Sequence, residues 1–185
     1  MYVDLYTVIR PAAVRFMRLA TERQVPLYIN VGGDPLDEDT AAVIRTARVS
    51  VLQTSIEPSE SESPERVLSR LADQGRAEVT ILTLGKDGCL AWADGRFFRL
   101  PALAVHILHT HGAGAAFSAG MAYGWVRQWS VKESLKFAST LGSLFCTIRD
   151  GWDRLTFEEV RLACPRLCLP EDGEDGQSGC GLTNG

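Results

Sequence analysis

Residues 109–120 read His-Thr-His-Gly-Ala-Gly-Ala-Ala-Phe-Ser-Ala-Gly. Gly112 and Gly114 fall between an extended apolar run, AVHILHT, and a segment of helical composition. Glycine lets the backbone turn sharply and lets a ligand reach main-chain amides with no side chain in the way. Amides opening a helix lack intrahelical partners, and the helix dipole favours an anion beside them. The chemistry this stretch could perform is phosphate binding, with Gly112, Ala113 and Gly114 as the anion hole. A tight strand-to-helix turn with no ligand fits the same residues. All three histidines, His106, His109 and His111, lie within six residues of one another. In an extended strand His109 and His111 share a side and His106 points away, so two metal ligands or one base are available there, without an apparent third ligand. Solvated or packed histidines are the simpler reading.

The elements that would position this loop follow from periodicity. RPAAVRFMRLATERQ sets Ala13, Phe16, Met17 and Ala20 at helical spacing, with Pro11 suited to a first turn. VPLYINV is a short β-prone run, DEDTAAVIRTA a helix with acidic residues in its first turn, and VSVLQTS a strand. SPERVLSRLADQG carries a Ser cap, Leu68 and Leu71 three apart, and Gly75 as a stop. EVTILTLG is another near-continuous apolar strand. Helices and strands alternate, and the strands read as buried on both faces, the pattern of a parallel sheet covered by helices. The rhythm then changes. GCLAWADGRFFRLPA places two strand-like runs around Asp94-Gly95, a hairpin signal. Beyond the glycine loop come a helix containing Trp125 and Trp129, a second helix with Leu135, Ala138, Leu141 and Phe145 along one stripe, and TFEEVRLAC, where Thr156 and Glu159 form a capping box. Residues 1–169 are expected to form one domain. Residues 170–185, rich in glycine and acidic residues, are expected to be disordered.

A chain of 185 residues can bury roughly 70% of its unfolded surface. The formal net charge of −4, with 19 basic residues interspersed among 23 acidic ones, argues against nucleic acid as a partner. No apolar run approaches the ~20 residues of a membrane helix, so a cytoplasmic protein is expected. The five cysteines include no Cys-x-x-Cys pair; Cys164 and Cys168 could share a helix face, but reduced, indifferent thiols are the simpler expectation.

VTILTLGKDGCLAW followed by GAGAAFSAG resembles the carboxyl-terminal half of the PfkB, or ribokinase-like, carbohydrate kinases. In that family the loop usually reads D-T-x-G-A-G-D-x-F-x-x-G, which Gly112, Ala113, Gly114, Phe117 and Gly120 match. Thr83, Leu84, Gly85 and Gly88 match its nucleotide-side motif, and FASTLGSLFCTIRDG is similar to its penultimate helix, beside the adenine. The resemblance implies a three-layer α/β/α fold with a mostly parallel sheet, and transfer of the ATP γ-phosphoryl group to a sugar or nucleoside hydroxyl. It implies ATP and Mg2+ as cofactors, Thr83, Gly85 and Gly88 as nucleotide-binding positions, and the Gly112–Gly114 amides as stabilisers of phosphoryl charge.

The departures from the family concern polar side chains. Ala115 occupies the position of the base aspartate, and a methyl group accepts no proton. His109 replaces the aspartate opening the motif. The N-x-x-E motif tied to magnesium falls on TSIE, where Thr54 replaces Asn and Glu57 remains; a solvated acidic loop of Glu57 with Glu60, Glu62 and Glu65 is the simpler reading. Asn30 stands at a strand position often held by Asp. Lys86 could touch phosphate or simply occupy a surface turn. Loss of a general base costs about 10²–10⁴ in rate, or roughly 3–5 kcal/mol. The chain also begins near the family's midpoint, so the amino-terminal sugar-contacting half has no counterpart, and a sheet edge left open would invite a homodimer. The expectation is a PfkB-like kinase domain with an impaired catalytic site. The alternatives are an inactive pseudokinase that binds nucleotide or a partner, and a truncated fragment.

Overall fold

The computed structural model describes residues 1–33, 36–56, 63–148 and 155–164. Glu57 and the tail from residue 170 lie outside them, as do Cys168 and Cys180. In chain order the elements are β1 (Tyr2–Asp4), α1 (Arg10–Glu22), β2 (Leu27–Asn30), α2 (Glu38–Thr46), β3 (Val49–Ser55), α3 (Pro64–Gly75), β4 (Val79–Thr83), β5 (Cys89–Ala93), β6 (Arg96–Leu100), α4 (Ala113–Val126), α5 (Val131–Phe145) and α6 (Phe157–Ala163). The strands form a six-stranded sheet in the order β1-β2-β3-β4-β5-β6. β1 to β4 run parallel, and β5 and β6 close the sheet as an antiparallel hairpin.

Burial on both faces explains the apolar strands. On one face Leu27, Ile29 and Leu52 pack against Val14 and Met17 of α1 and Val43 of α2, while Leu82 and Leu90 meet Leu68 of α3. On the other, Val51, Ile81 and Ala91 lie under Phe117 and Met121 of α4 and Leu135 and Ala138 of α5. The three-layer α/β/α arrangement is therefore present, with α4 and α5 occupying the second face together. They approach closely: a Cβ on Gly120 would stand 2.8 Å from the Ala138 Cα.

The hairpin turns at Asp94 and Gly95, with φ of 53° and 75°, as the Asp-Gly pair requires. Capping boxes start α5, at Ser130 and Glu133, and α6, at Thr156 and Glu159. Trp125 packs edge-on to Tyr28 against the core, and Trp129, beyond the end of α4, packs half-buried against Tyr123 and Phe137. A buried polar cluster ties the layers together. The Tyr28 hydroxyl donates to Gln53 Oε1, and the Ser118 Oγ of α4 stands 3.1 Å from the same oxygen and 3.0 Å from the Gly114 carbonyl. Burial keeps the Tyr28 phenol protonated by pushing its pKa up. The cluster thereby holds the first turn of α4 against β2 and β3.

AVHILHT does not form a strand. Residues 101–110 run without a ladder partner. Their amides turn instead to α5: Leu103 N donates to Ser143 Oγ at 3.0 Å, and Leu108 N to the Cys146 carbonyl at 2.9 Å. Pro101, which has no N–H, opens the segment. No helix among the described residues is long and apolar enough to cross a membrane.

Candidate functional site

At the carboxyl ends of β3 and β4 an open cleft of about 610 Å³ separates the β4–β5 connection from α4 and α5. Clefts that hold small ligands commonly measure about 300–1,000 Å³. Thr83, Gly85 and Lys86 border one side, and Ala113, Gly114 and Gly142 border another. Leu103, Val105 and Ile107 supply an apolar wall.

The glycine loop enters α4 through Gly112, whose φ is 85°. A Cβ there would also lie 2.7 Å from the Phe145 ring, so both conformation and space demand glycine. Gly112 caps α4 without a side chain. The Ala113 amide donates to the Thr110 carbonyl at 3.2 Å and the Ala116 amide to that of Gly112 at 2.9 Å. The amides of Gly114 and Ala115 lie between them, in the first helical turn, and have no partner among the described residues. A Cβ on Gly114 would meet nothing within 4 Å, so space for a ligand exists where that side chain would stand. Ala115 is exposed beside it. The loop therefore presents main-chain donors and the positive end of a helix dipole to an open volume.

The opposite side is a tight 3₁₀ turn, Gly85–Asp87, closed by a hydrogen bond from Leu84 N to the Gly88 carbonyl at 2.8 Å. Gly88 adopts a φ of 88°, and a Cβ on it would stand 2.0 Å from the Leu100 carbonyl oxygen. Thr83 Oγ1 lies 2.7 Å from Ser55 Oγ and 3.3 Å from the Thr54 carbonyl, clamping β4 to β3 at the rim. Lys86 is exposed and paired with Asp87 at 3.0 Å. Such a pair is worth little in water, which leaves the ammonium free to swing toward an anion.

Several candidate positions serve the scaffold. Thr54 Oγ1 donates to the Gly32 carbonyl at 2.6 Å. Asn30 is buried, donating to Asp4 at 3.2 Å and accepting from the Gly32 amide. His109 Nε2 lies 2.7 Å from the Ile148 carbonyl, and its ring stands edge-on to Phe145. His106 and His111 are exposed, and among the described residues no three His, Cys, Asp or Glu side chains gather as a metal site. None of the described residues lining the cleft is acidic. The apolar wall was not expected from sequence, whereas Gly142 lies in the 137–151 segment that the resemblance placed beside the adenine. Leu103, Val105 and Ile107 alternate as a strand would, and that alternation was the available signal. Cys146 also borders the cleft, and burial raises its thiol pKa, keeping that wall uncharged near neutral pH.

The profile of the pfkB family of carbohydrate kinases matches residues 5–151. This chain belongs to the pfkB family. An ATP-dependent 6-phosphofructokinase of Thermoanaerobacterium thermosaccharolyticum is 34% identical over 94 residues, covering 49% of this chain and 29% of that enzyme. A 5-dehydro-2-deoxygluconokinase of Clostridium beijerinckii is 25% identical over 141 residues, covering 75% of this chain and 40% of that enzyme. The nucleoside kinase of Burkholderia thailandensis, solved in complex with inosine, superposes with a TM-score of 0.67 at 17% identity, covering 86% of this chain and 55% of that one. The pfkB fold is thus shared, and this chain spans about half or less of the length of these relatives.

Proposed function

We propose that residues 1–169 form a nucleotide-binding pfkB domain whose phosphoryl-transfer step is impaired, a pseudokinase or a very slow sugar kinase. The observation carrying this reading is a helix start whose Gly114 and Ala115 amides are open, with Gly114 lining the cleft and, one residue on, an exposed methyl group where a base would stand. The cleft fits a nucleotide in two respects. The α4 amides suit its phosphates, and the wall of Leu103, Val105 and Ile107 suits a planar base. When bound, ATP supplies the phosphoryl group and Mg2+ neutralises phosphate charge. The described lining offers that ion no carboxylate, and in this proposal Glu57 would supply one.

Within this reading Gly114 and Ala115 stabilise charge on the terminal phosphate, Gly85 and Gly88 shape the nucleotide side, and Lys86 approaches from the rim. Transfer to a sugar or nucleoside hydroxyl also requires the hydroxyl proton to leave. Position 115 offers no acceptor, and His109 is turned to a backbone carbonyl. The pseudokinase alternative is favoured for that reason. The relatives support the substrate class, a phosphorylatable alcohol, and ATP as the donor named for one of them.

Calorimetric titration with Mg·ATP tests the reading, with Gly114→Asp as the comparison. That variant puts a carboxylate into open space, so it folds while opposing phosphate. Saturable binding lost in the variant supports the site. A well-folded chain that binds no nucleotide overturns it.

A further inference from the structure

We infer that Ser118 is a positioning residue of the anion site, its hydroxyl hydrogen polarising the peptide unit that carries the Ala115 N–H. This role rests on the nucleotide-binding reading above. The Ala115 N–H and the Gly114 carbonyl belong to one planar trans peptide unit and point opposite ways. The N–H lies in the first turn of α4 and has no partner among the described residues, and Gly114 lines the cleft. The carbonyl points along the helix to Ser118, whose amide it accepts in the regular helical pattern. Ser118 Oγ lies 3.0 Å from the same carbonyl oxygen. A hydroxyl buried beneath α4 thus stands at the back of an open main-chain donor.

Ser118 has one hydroxyl hydrogen and two acceptors for it. The second is Gln53 Oε1 of β3, 3.1 Å away, which also accepts from the Tyr28 hydroxyl. Ser118 is 1% exposed and Gln53 0%, so water does not compete for the hydrogen. The two distances are nearly equal, and an anion on the Ala115 N–H decides between them. Hydrogen bonding at one end of a peptide unit polarises it and makes the carbonyl at the other end a stronger acceptor. The hydrogen then turns to Gly114, and its bond there strengthens the Ala115 N–H as a donor in return. Gln53 Oε1 keeps the Tyr28 hydroxyl while this happens, so no buried acceptor of the cluster loses its last partner.

Two changes within this one buried contact therefore act differently on a bound phosphate. Loss of the Ser118 hydroxyl removes the polarising bond. Loss of the Gln53 amide removes the competing acceptor and leaves the Gly114 carbonyl with the hydrogen. Gln53 Nε2 is buried without a partner among the described residues, so leucine at this position also removes an unsatisfied donor. The Tyr28 hydroxyl, which lies within hydrogen-bonding reach of Ser118 as well, keeps a partner there. A residue that merely packs α4 against the sheet would show no such asymmetry.

Calorimetric titration of the full chain with Mg·ATP, and with adenosine as the ligand that lacks phosphate, tests the role. Ser118→Ala is expected to bind Mg·ATP about 2–10-fold more weakly, the range of one net hydrogen bond, and adenosine as before. Gln53→Leu is expected to bind Mg·ATP at least as tightly as the unaltered chain. Equal losses for Mg·ATP and adenosine in Ser118→Ala overturn the inference, as does a loss in Gln53→Leu that matches it. Unchanged Mg·ATP binding by Ser118→Ala overturns it too. Should Gln53→Leu unfold, the contrast between the two ligands in Ser118→Ala decides alone. An unaltered chain that binds no Mg·ATP overturns the nucleotide reading and this inference together, whereas the other adverse results leave that reading standing.

Discussion

Replacing Ala115 by aspartate would place a carboxylate next to Gly114, which lines the cleft, and separates two consequences of one side chain. Ala115 is the third residue of α4, exposed, in a first turn that holds no acidic residue. A carboxylate there meets the positive end of the dipole, worth about 0.3–1 kcal/mol. For a domain of this size each kcal/mol moves Tm by about 2–4 °C, so Ala115→Asp is expected to melt roughly 1–4 °C higher. The chemical consequence is larger. A positioned base contributes about 10²–10⁴ in rate, and the new carboxylate stands one residue from the open Gly114 amide. Phosphate release from Mg·ATP is the assay, because water can replace an unidentified hydroxyl acceptor. The expected outcome is a rise of about 10²-fold or more over the unaltered chain. A variant that melts higher and still binds nucleotide, yet releases phosphate no faster, refutes the reasoning. The defect would then lie beyond position 115.

Gly88→Ala combines a φ of 88° with a Cβ 2.0 Å from a backbone oxygen, and should cost about 2–6 kcal/mol in urea unfolding; Gly114→Ala, helical and facing open space, should be neutral or stabilise by up to about 1 kcal/mol. Burial pushes the Cys89 thiol up to about 12 from an ordinary 9.0. The folded state therefore favours the protonated thiol. Its contribution is intact below about pH 9 and is lost as pH climbs toward 12, by up to about 1.4 kcal/mol per pH unit. Stability against pH should consequently fall less steeply over that window in Cys89→Ala than in the unaltered chain, and equal slopes would contradict this.

The alternating layers were legible because β2, β3 and β4 are buried on both faces and so read as unbroken apolar runs. The hairpin was legible because Asp94-Gly95 suits two consecutive positive φ angles. β1 was not. Three residues carry too little alternation, and the strand is recognised only by its bonds to β2. Residues 103–107 misled in the other direction: Leu103, Val105 and Ile107 alternate like a strand, but the alternation serves the cleft wall, and α5 takes the backbone bonds. In the candidate site, the glycine turn at Gly112 and the helix that follows it could be read directly. Resemblance placed residues 137–151 beside the adenine, but which of them, such as Gly142 and Cys146, face the cleft depends on the packing of α5 against α4, which periodicity does not specify. The fixed roles of Thr54, Asn30 and His109 likewise depend on carbonyls contributed by distant segments.

Each strand of the sheet lies beside its neighbour in sequence, so strand pairing never requires closing a long chain loop. Such a topology allows the six described strands to join the sheet one at a time in the order of the chain. The cleft cannot form in that order. It needs the β4–β5 connection and both α4 and α5, and so is completed only after the whole sheet exists. Ligand capture by this protein would consequently report the end of assembly, and nucleotide would favour the fully wound chain over every shorter folding intermediate.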